Sequence, residues 1–280
     1  MKPARYIPII GLEIHVRLKT KTKMFCPCPN VDDSTPPNTA ICPVCTGQPG
    51  ALPALNFEAV RLGVRAGLAL ECTIPDQAYF DRKNYFYPDL PKGYQISQFD
   101  FPIAERGEFI IDVSKKDAMP GRERIKIGIT RAHLEEDAAK NIHDTASSSS
   151  LIDFNRAGVP LTEIVTEPDV RSPAEAKAFL QELQLLLRSL GVSEADMEKG
   201  YMRCDANISL LPVDEQGLKA QPDYNPKTEI KNLNSFRAVE RALAFEIERQ
   251  RVMLEQGEVP GGATRGWDEN KQSTFSQRSK

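Results

Sequence analysis

Hydrophobic and polar positions alternate without a fault from Ile10 to Lys19. Ile10, Leu12, Ile14, Val16 and Leu18 fall on one side of that alternation, and Gly11, Glu13, His15, Arg17 and Lys19 on the other. This is the period-two pattern of a strand with one buried and one wet face. Residues 202–210 repeat it, with Met202, Cys204, Ala206, Ile208 and Leu210 apolar and Arg203, Asp205, Asn207 and Ser209 polar. Shorter runs predict a hairpin of strands over 109–113 and 124–130, further strands over 151–154 and 161–166, and a polar strand or loop over 227–234. Helical spacing predicts a helix over 57–70 behind the N-cap Asn56. A second starts at the capping box Ser172-Pro173-Ala174-Glu175 and stops at Gly191, and a third over 235–256 ends at Gly257.

Between these elements, residues 81–98 are too polar for a core strand and too aromatic for a flexible loop, which predicts an ordered loop lining a cleft. Residues 144–150 read as a polar loop. The tail from Glu258, which holds the one tryptophan, has no obvious closing element and reads as interrupted. Helices do not alternate with strands as a Rossmann fold requires. The fold class expected is therefore α+β, a mainly antiparallel sheet with helices on one side.

Composition adds bounds. In 280 residues, 40% apolar and 27% charged, there is room for a large core. The formal charge of -3 supplies no bulk attraction to nucleic acid, so RNA binding would need a local patch or another part. No apolar run approaches the ~20 residues of a membrane span. Only about nine residues precede the first strand, too few for a signal or transit peptide. A cytoplasmic protein with no membrane or DNA partner is expected.

Two cysteine pairs, Cys26/Cys28 and Cys42/Cys45, flank a loop rich in Pro, Asn and Asp. Four thiolates so spaced can close a tetrahedral zinc shell, which predicts a structural zinc knuckle at about 24–50; disulfides and free thiols are the alternatives. Cys72 and Cys204 read as small core hydrophobes.

Glu13 and His15 lie about 7 Å apart on one strand face, close enough to converge on one cation or phosphate oxygen. The adjacent acids Glu135, Glu136 and Asp137 repel one another unless a cation or a basic group neutralises them, a solvated acidic turn being the alternative. Glu163 is the one charge inside an apolar, β-branched run and wants a partner. No P-loop and no acyl nucleophile motif is present. What remains is a set of acids (Glu13, His15 beside it, Glu135, Glu136, Glu163, Asp205) facing phosphate-clamping bases (Arg82, Lys83, Arg203, Lys231). Phosphoryl transfer needs such an arrangement.

Gly-Leu-Glu-Ile-His-Val at 11–16, Phe-Asp-Arg-Lys-Asn-Tyr-Phe-Tyr-Pro-Asp from 80, Tyr-Gln-Ile-Ser-Gln from 94, His-Leu-Glu-Glu-Asp from 133, Arg-Cys-Asp-Ala-Asn from 203 and Glu-Ile-Lys-Asn-Leu-Asn-Ser from 229, with the paired cysteines, resemble the B subunit of the glutamyl-tRNA(Gln)/aspartyl-tRNA(Asn) amidotransferase. The resemblance runs through the whole chain in order. It implies a cradle-type catalytic domain over 1–280 with a glutamine-synthetase-like sheet. It also implies ATP-dependent phosphorylation of the side-chain carboxylate of misacylated Glu-tRNA(Gln) or Asp-tRNA(Asn), followed by displacement of phosphate by ammonia. A glutaminase (A) subunit would supply the ammonia, a small (C) subunit would brace the pair, and helical and tail domains that grip the tRNA are not in this chain. By motif, the resemblance assigns Glu13, His15, Glu136 and Glu163 to Mg²⁺, and Lys83 and Asp205, with Glu136, to the ATP-dependent step. Two other classes fit the residues: a free-standing ATP-dependent carboxylate-amine ligase, and a zinc-stabilised RNA-binding or assembly module without catalysis.

Overall fold

The computed structural model describes residues 5–144, 149–214, 216, 219 and 224–277. In chain order its elements are β1 (Arg5–Arg17), α1 (Phe57–Ala69), β2 (Asp81–Asn84), β3 (Tyr94–Ser97), β4 (Ala104–Asp112), β5 (Arg124–Glu136), β6 (Lys140–Asp144), β7 (Ser149–Asp153), β8 (Pro160–Thr166), α2 (Pro173–Ser189), β9 (Met202–Val213), β10 (Thr228–Leu233), α3 (Phe236–Glu255), β11 (Ala263–Asp268) and β12 (Ser273–Ser276). Ten strands form one sheet in the order β12-β11-β10-β9-β1-β8-β5-β3-β2, with β4 paired to β5; β6 and β7 form a separate hairpin. Within the large sheet only β10 and β11 run parallel. The fold is α+β and mainly antiparallel.

The alternation in β1 is what places it centrally. Ile10, Leu12, Ile14 and Val16 are at most 1% exposed, and the apolar residues of β9 join them in the core beneath the helices. α1 packs on β4 and β5, α2 and α3 pack on each other, and α3 covers β9, β10 and β12. The helices thus take one face of the sheet, and the polar side chains of β1, β5, β8 and β9 are left on the other.

Each helix starts at the residue its sequence signals. Asn56 accepts from the Glu58 and Ala59 amides, Ser172 from the Glu175 amide, and Ser235 from the Ala238 amide. Glu175 does more than a capping box asks. Its fully buried carboxylate takes Arg122 at 2.6 and 2.9 Å and the Arg171 amide at 2.7 Å, tying the start of α2 to the β4–β5 hairpin.

Three expectations need correction. Residues 81–98 contain two paired strands, β2 and β3, and are not loop throughout. Polarity does not exclude β2, because all four of its residues are exposed at a sheet edge. The tail from Glu258 supplies β11 and β12, which close on β10 with Trp267 buried. Of the polar loop expected over 144–150, residues 145–148 lie outside the described residues, while its flanks belong to β6 and β7.

Candidate cation and phosphate site

Register builds the site. Arg203 on β9, His15 on β1, Glu163 on β8 and His133 on β5 lie opposite one another across four adjacent strands. With strands about 4.8 Å apart, such a row brings side chains on one face within bonding reach. His15 Nε2 is 3.3 Å from Glu163 Oε2 and 3.4 Å from Glu135 Oε1. His133 Nε2 is 3.1 Å from Glu163 Oε2 and 3.9 Å from Glu135 Oε2, and Ser97 donates to Glu135 at 3.4 Å. Donor atoms of His15, Glu135 and Glu163 all lie within 4.8 Å of one another, so one cation can touch all three.

The electrostatics follow from this crowding. Burial works against a charged His15, but its bond to Glu163 and the charge of Glu135 outweigh it and lift the imidazole to about 9. Burial also opposes ionised Glu163, yet bonds from His133 and His15 hold it well below the usual carboxylate range. For Glu135 burial wins and the carboxyl is raised, against the opposing charges of His15, His133 and Lys83. A dication would replace the protons this cluster otherwise keeps.

Around the cluster, Arg203 donates to Asp137 at 3.0 Å, and Asn207 donates to Glu13 at 2.8 Å. Lys231 reaches Asp205 at 3.0 Å and Glu229 at 2.8 Å. Burial lowers the Lys231 ammonium, but Asp205 and Glu229 together push it up to about 12. Lys83 stands exposed on β2, in register with Gln95 and on the strand face it shares with Asp81, which pairs with Ser97.

The sequence-predicted residues thus divide. His15 and Glu163 converge. Glu13, Lys83, Arg203, Asp205 and Lys231 lie on the same face around them. Glu136 and Arg82 do not. Glu136 follows Glu135 on β5, so it points to the other face, where it pairs with Lys92 and accepts from the Ile96 amide at 2.9 Å. Arg82 stacks over the Tyr94 ring, 4.9 Å from its centroid, and Lys92 lies 5.5 Å from the same centroid. Glu135 stands where Glu136 is expected, and His133 is a member that the expected set lacks. The signal for both is the spacing His133-x-Glu135, which copies Glu13-x-His15.

The cysteines form a second centre. The sulfurs of Cys26, Cys28, Cys42 and Cys45 lie within 4.8 Å of one another, with Cys42 and Cys45 3.9 Å apart. Tetrahedral zinc with Zn–S of ~2.3 Å requires sulfur separations of roughly 3.8 Å. A bond from Cys26, helped by nearby Lys23, brings the Cys45 thiol down to about 4 in spite of burial, while Cys26 is pushed up. The fully buried Lys23 places Nζ 3.5 Å from Cys45 Sγ. All four cysteines are free of disulfides, and the cluster is compatible with zinc.

Sheet and site together define a class: an α+β domain whose open sheet face carries a carboxylate–imidazole cluster able to hold a cation, among basic side chains. The GatB/GatE catalytic domain family matches residues 8–280, and the chain belongs to it. It is similar to the B subunit of the aspartyl/glutamyl-tRNA(Asn/Gln) amidotransferase of Thermotoga petrophila, 54% identical over 280 residues, which cover 99% of this chain and 55% of that protein. The protein of the same name from Rhodopirellula baltica is 53% identical over 279 residues, 97% of this chain and 54% of its own length. The B subunit of the chloroplastic/mitochondrial glutamyl-tRNA(Gln) amidotransferase of Physcomitrium patens is 50% identical over 281 residues, 99% of this chain and 48% of its own. The chain spans about half the length of the curated relatives it matches. Among the described residues no helix is long and apolar enough to cross a membrane.

Proposed function

We propose that this chain carries the catalytic site of the B subunit of a tRNA-dependent amidotransferase, a cytoplasmic ligase that converts Glu-tRNA(Gln), Asp-tRNA(Asn) or both to their amides. The observation that carries the reading is the convergence of His15, Glu135 and Glu163 on one sheet face of a GatB/GatE catalytic domain. The side-chain carboxylate of the misacylated tRNA takes the γ-phosphoryl group of ATP, releasing ADP. Ammonia then attacks the activated carbonyl and expels phosphate, which leaves the amide. His15, Glu135 and Glu163 would hold Mg²⁺, which when bound would supply neutralising charge for the phosphates. Two carboxylates and one imidazole suit one dication, since they offset its charge and leave positions for phosphate oxygens and water.

Around that centre the chain's own residues orient and screen. Lys83 and Arg203 flank the cluster as phosphate-facing cations, while the Asp205–Lys231–Glu229 chain fixes an ammonium at the edge of the same face. In this reading ammonia comes from a glutaminase (A) partner, with a small bracing (C) partner completing the assembly. Zinc at the four cysteines is structural, because four thiolates leave no open position.

The test is amidation by the full-length chain with its partners, using each misacylated tRNA in turn. Glu163→Gln is expected to reduce ATP-dependent amidation by ~10²-fold or more and to leave the partner's glutaminase activity intact. An unchanged amidation rate would overturn the reading. ATP cleavage driven equally well by free glutamate would replace it with a free-standing carboxylate-amine ligase.

A further inference from the structure

Glu163 receives two donors among the described residues, and both address the same oxygen. His15 Nε2 stands 3.3 Å and His133 Nε2 3.1 Å from Oε2. The two imidazoles differ at their second nitrogen. His133 Nδ1 accepts from Arg131 Nε at 3.3 Å. A guanidinium can only donate, so Nδ1 carries the lone pair and the ring proton sits on Nε2, aimed at Glu163. Arg131 is held in turn, its guanidinium carbon 4.6 Å from the centroid of the Phe99 ring. His133 itself is 3% exposed, packed where it cannot swing away. No such lock acts on His15 among the described residues, so its Nε2 is free to turn a lone pair to a cation.

We propose that His133 is a positioning residue for the cation site. Fixed by Arg131 as an Nε2–H donor, it holds Oε2 of Glu163 and leaves the other carboxylate oxygen to the ion. His15, Glu135 and Glu163 then make the protein's contacts to the metal, and His133 stays outside its coordination shell. When His15 turns to the ion it no longer donates to Glu163, and His133 becomes the one remaining donor to that half-buried carboxylate among the described residues. Partners that orient a metal's ligands in this way are worth about 10–100-fold in affinity. The inference rests on the cation site proposed above.

The experiment uses Mn²⁺ as the probe on the full-length chain in its assembly. Mn²⁺ titration by electron paramagnetic resonance gives affinity, pulsed measurements count coordinated imidazole nitrogens, and amidation is followed against Mn²⁺ concentration. The unsubstituted protein is expected to show one coordinated imidazole. His133→Leu should lower Mn²⁺ affinity about 10–100-fold while keeping one coordinated imidazole, and should raise the Mn²⁺ needed for half-maximal rate more than it lowers the rate at saturation. His133→Gln, whose amide N–H can reach the same oxygen, should recover much of the affinity. Two coordinated imidazoles in the unsubstituted protein, or unchanged affinity in His133→Leu, would overturn the proposal. If His133→Leu does not fold, Arg131→Met decides: freeing the tautomer should weaken Mn²⁺ binding, and unaltered binding overturns the proposal. His15→Ala separates the two levels. If it leaves Mn²⁺ binding intact, the cation site itself is wrong. If it abolishes binding while His133→Leu does nothing, only the positioning role fails.

Discussion

Glu135 and Glu136 are neighbours in sequence and opposites in role, and substitution should separate them. Glu135→Gln removes a carboxylate from the cluster and should reduce amidation by ~10²-fold or more with little loss of stability. Glu136→Gln leaves the mostly buried Lys92 ammonium without its partner, a change that costs about 3 kcal/mol where buried pairs are broken. Urea midpoints beside amidation rates check both, and an inactive but fully stable Glu136→Gln would refute the division. His15 gives a pH signature in cation-free protein. Its pKa is raised from 6.5 to about 9 on folding, so its contribution is fully present below about pH 6.5 and lost as pH rises through about 9. Denaturation in a chelator across that range should show stability falling on the alkaline side, and His15→Gln should flatten the fall. The faces of β1 and β9 are legible from alternation alone; the end of β5 is not. Ile125, Ile127 and Ile129 are buried, but so are Ala132 and Leu134, because a register shift between Ile129 and Arg131 inverts the parity. Counting by twos from the isoleucines puts Glu136 on the wet face and Glu135 in the core, the reverse of what the bulge produces.

At the scale of elements, the cysteine loop and the sheet are joined through one small cavity. Cys26, Cys45, Lys92, Tyr94, Ile96, Glu136 and Gly158 share its walls, so the knuckle braces the reverse side of the strands that present Glu135 and Ser97. Purified protein should therefore contain about one equivalent of zinc. Cys42→Ser should lower stability by several kcal/mol, because metal binding and loop ordering are one free energy. Protein from metal-replete growth that holds no zinc would refute this. The α2 cap offers a smaller test: Ser172→Ala should cost ~1 kcal/mol, read as a shifted denaturation midpoint. The cysteine spacing and the three caps are local signals and can be read without a structure. β2, β11 and β12 are not local in this sense, since they are strands because a neighbour offers an edge. Asp81–Asn84 has no buried face to announce it.

For the molecule as a whole, the acidic balance and the open polar face are compatible only if charge is arranged locally, as it is around His15 and Glu163. The row that makes the site draws on β1, β5, β8 and β9, which are adjacent in the sheet and distant in the chain. Leu12 bonds Thr166 across 154 residues, and Asn207 bonds Glu13 across 194. No window of sequence contains that row, which explains why its members are visible singly and its composition is not. The same arrangement has a consequence during synthesis on the ribosome. β1 is made well before both of its partner strands, β8 and β9. At ~5–20 residues per second, the apolar face of Ile10, Leu12, Ile14 and Val16 waits on the order of ten seconds or longer before β8 exists to pair with it. Through that interval the nascent chain presents an unpaired hydrophobic strand, the kind of segment that chaperones hold and that neighbouring polysomes can capture.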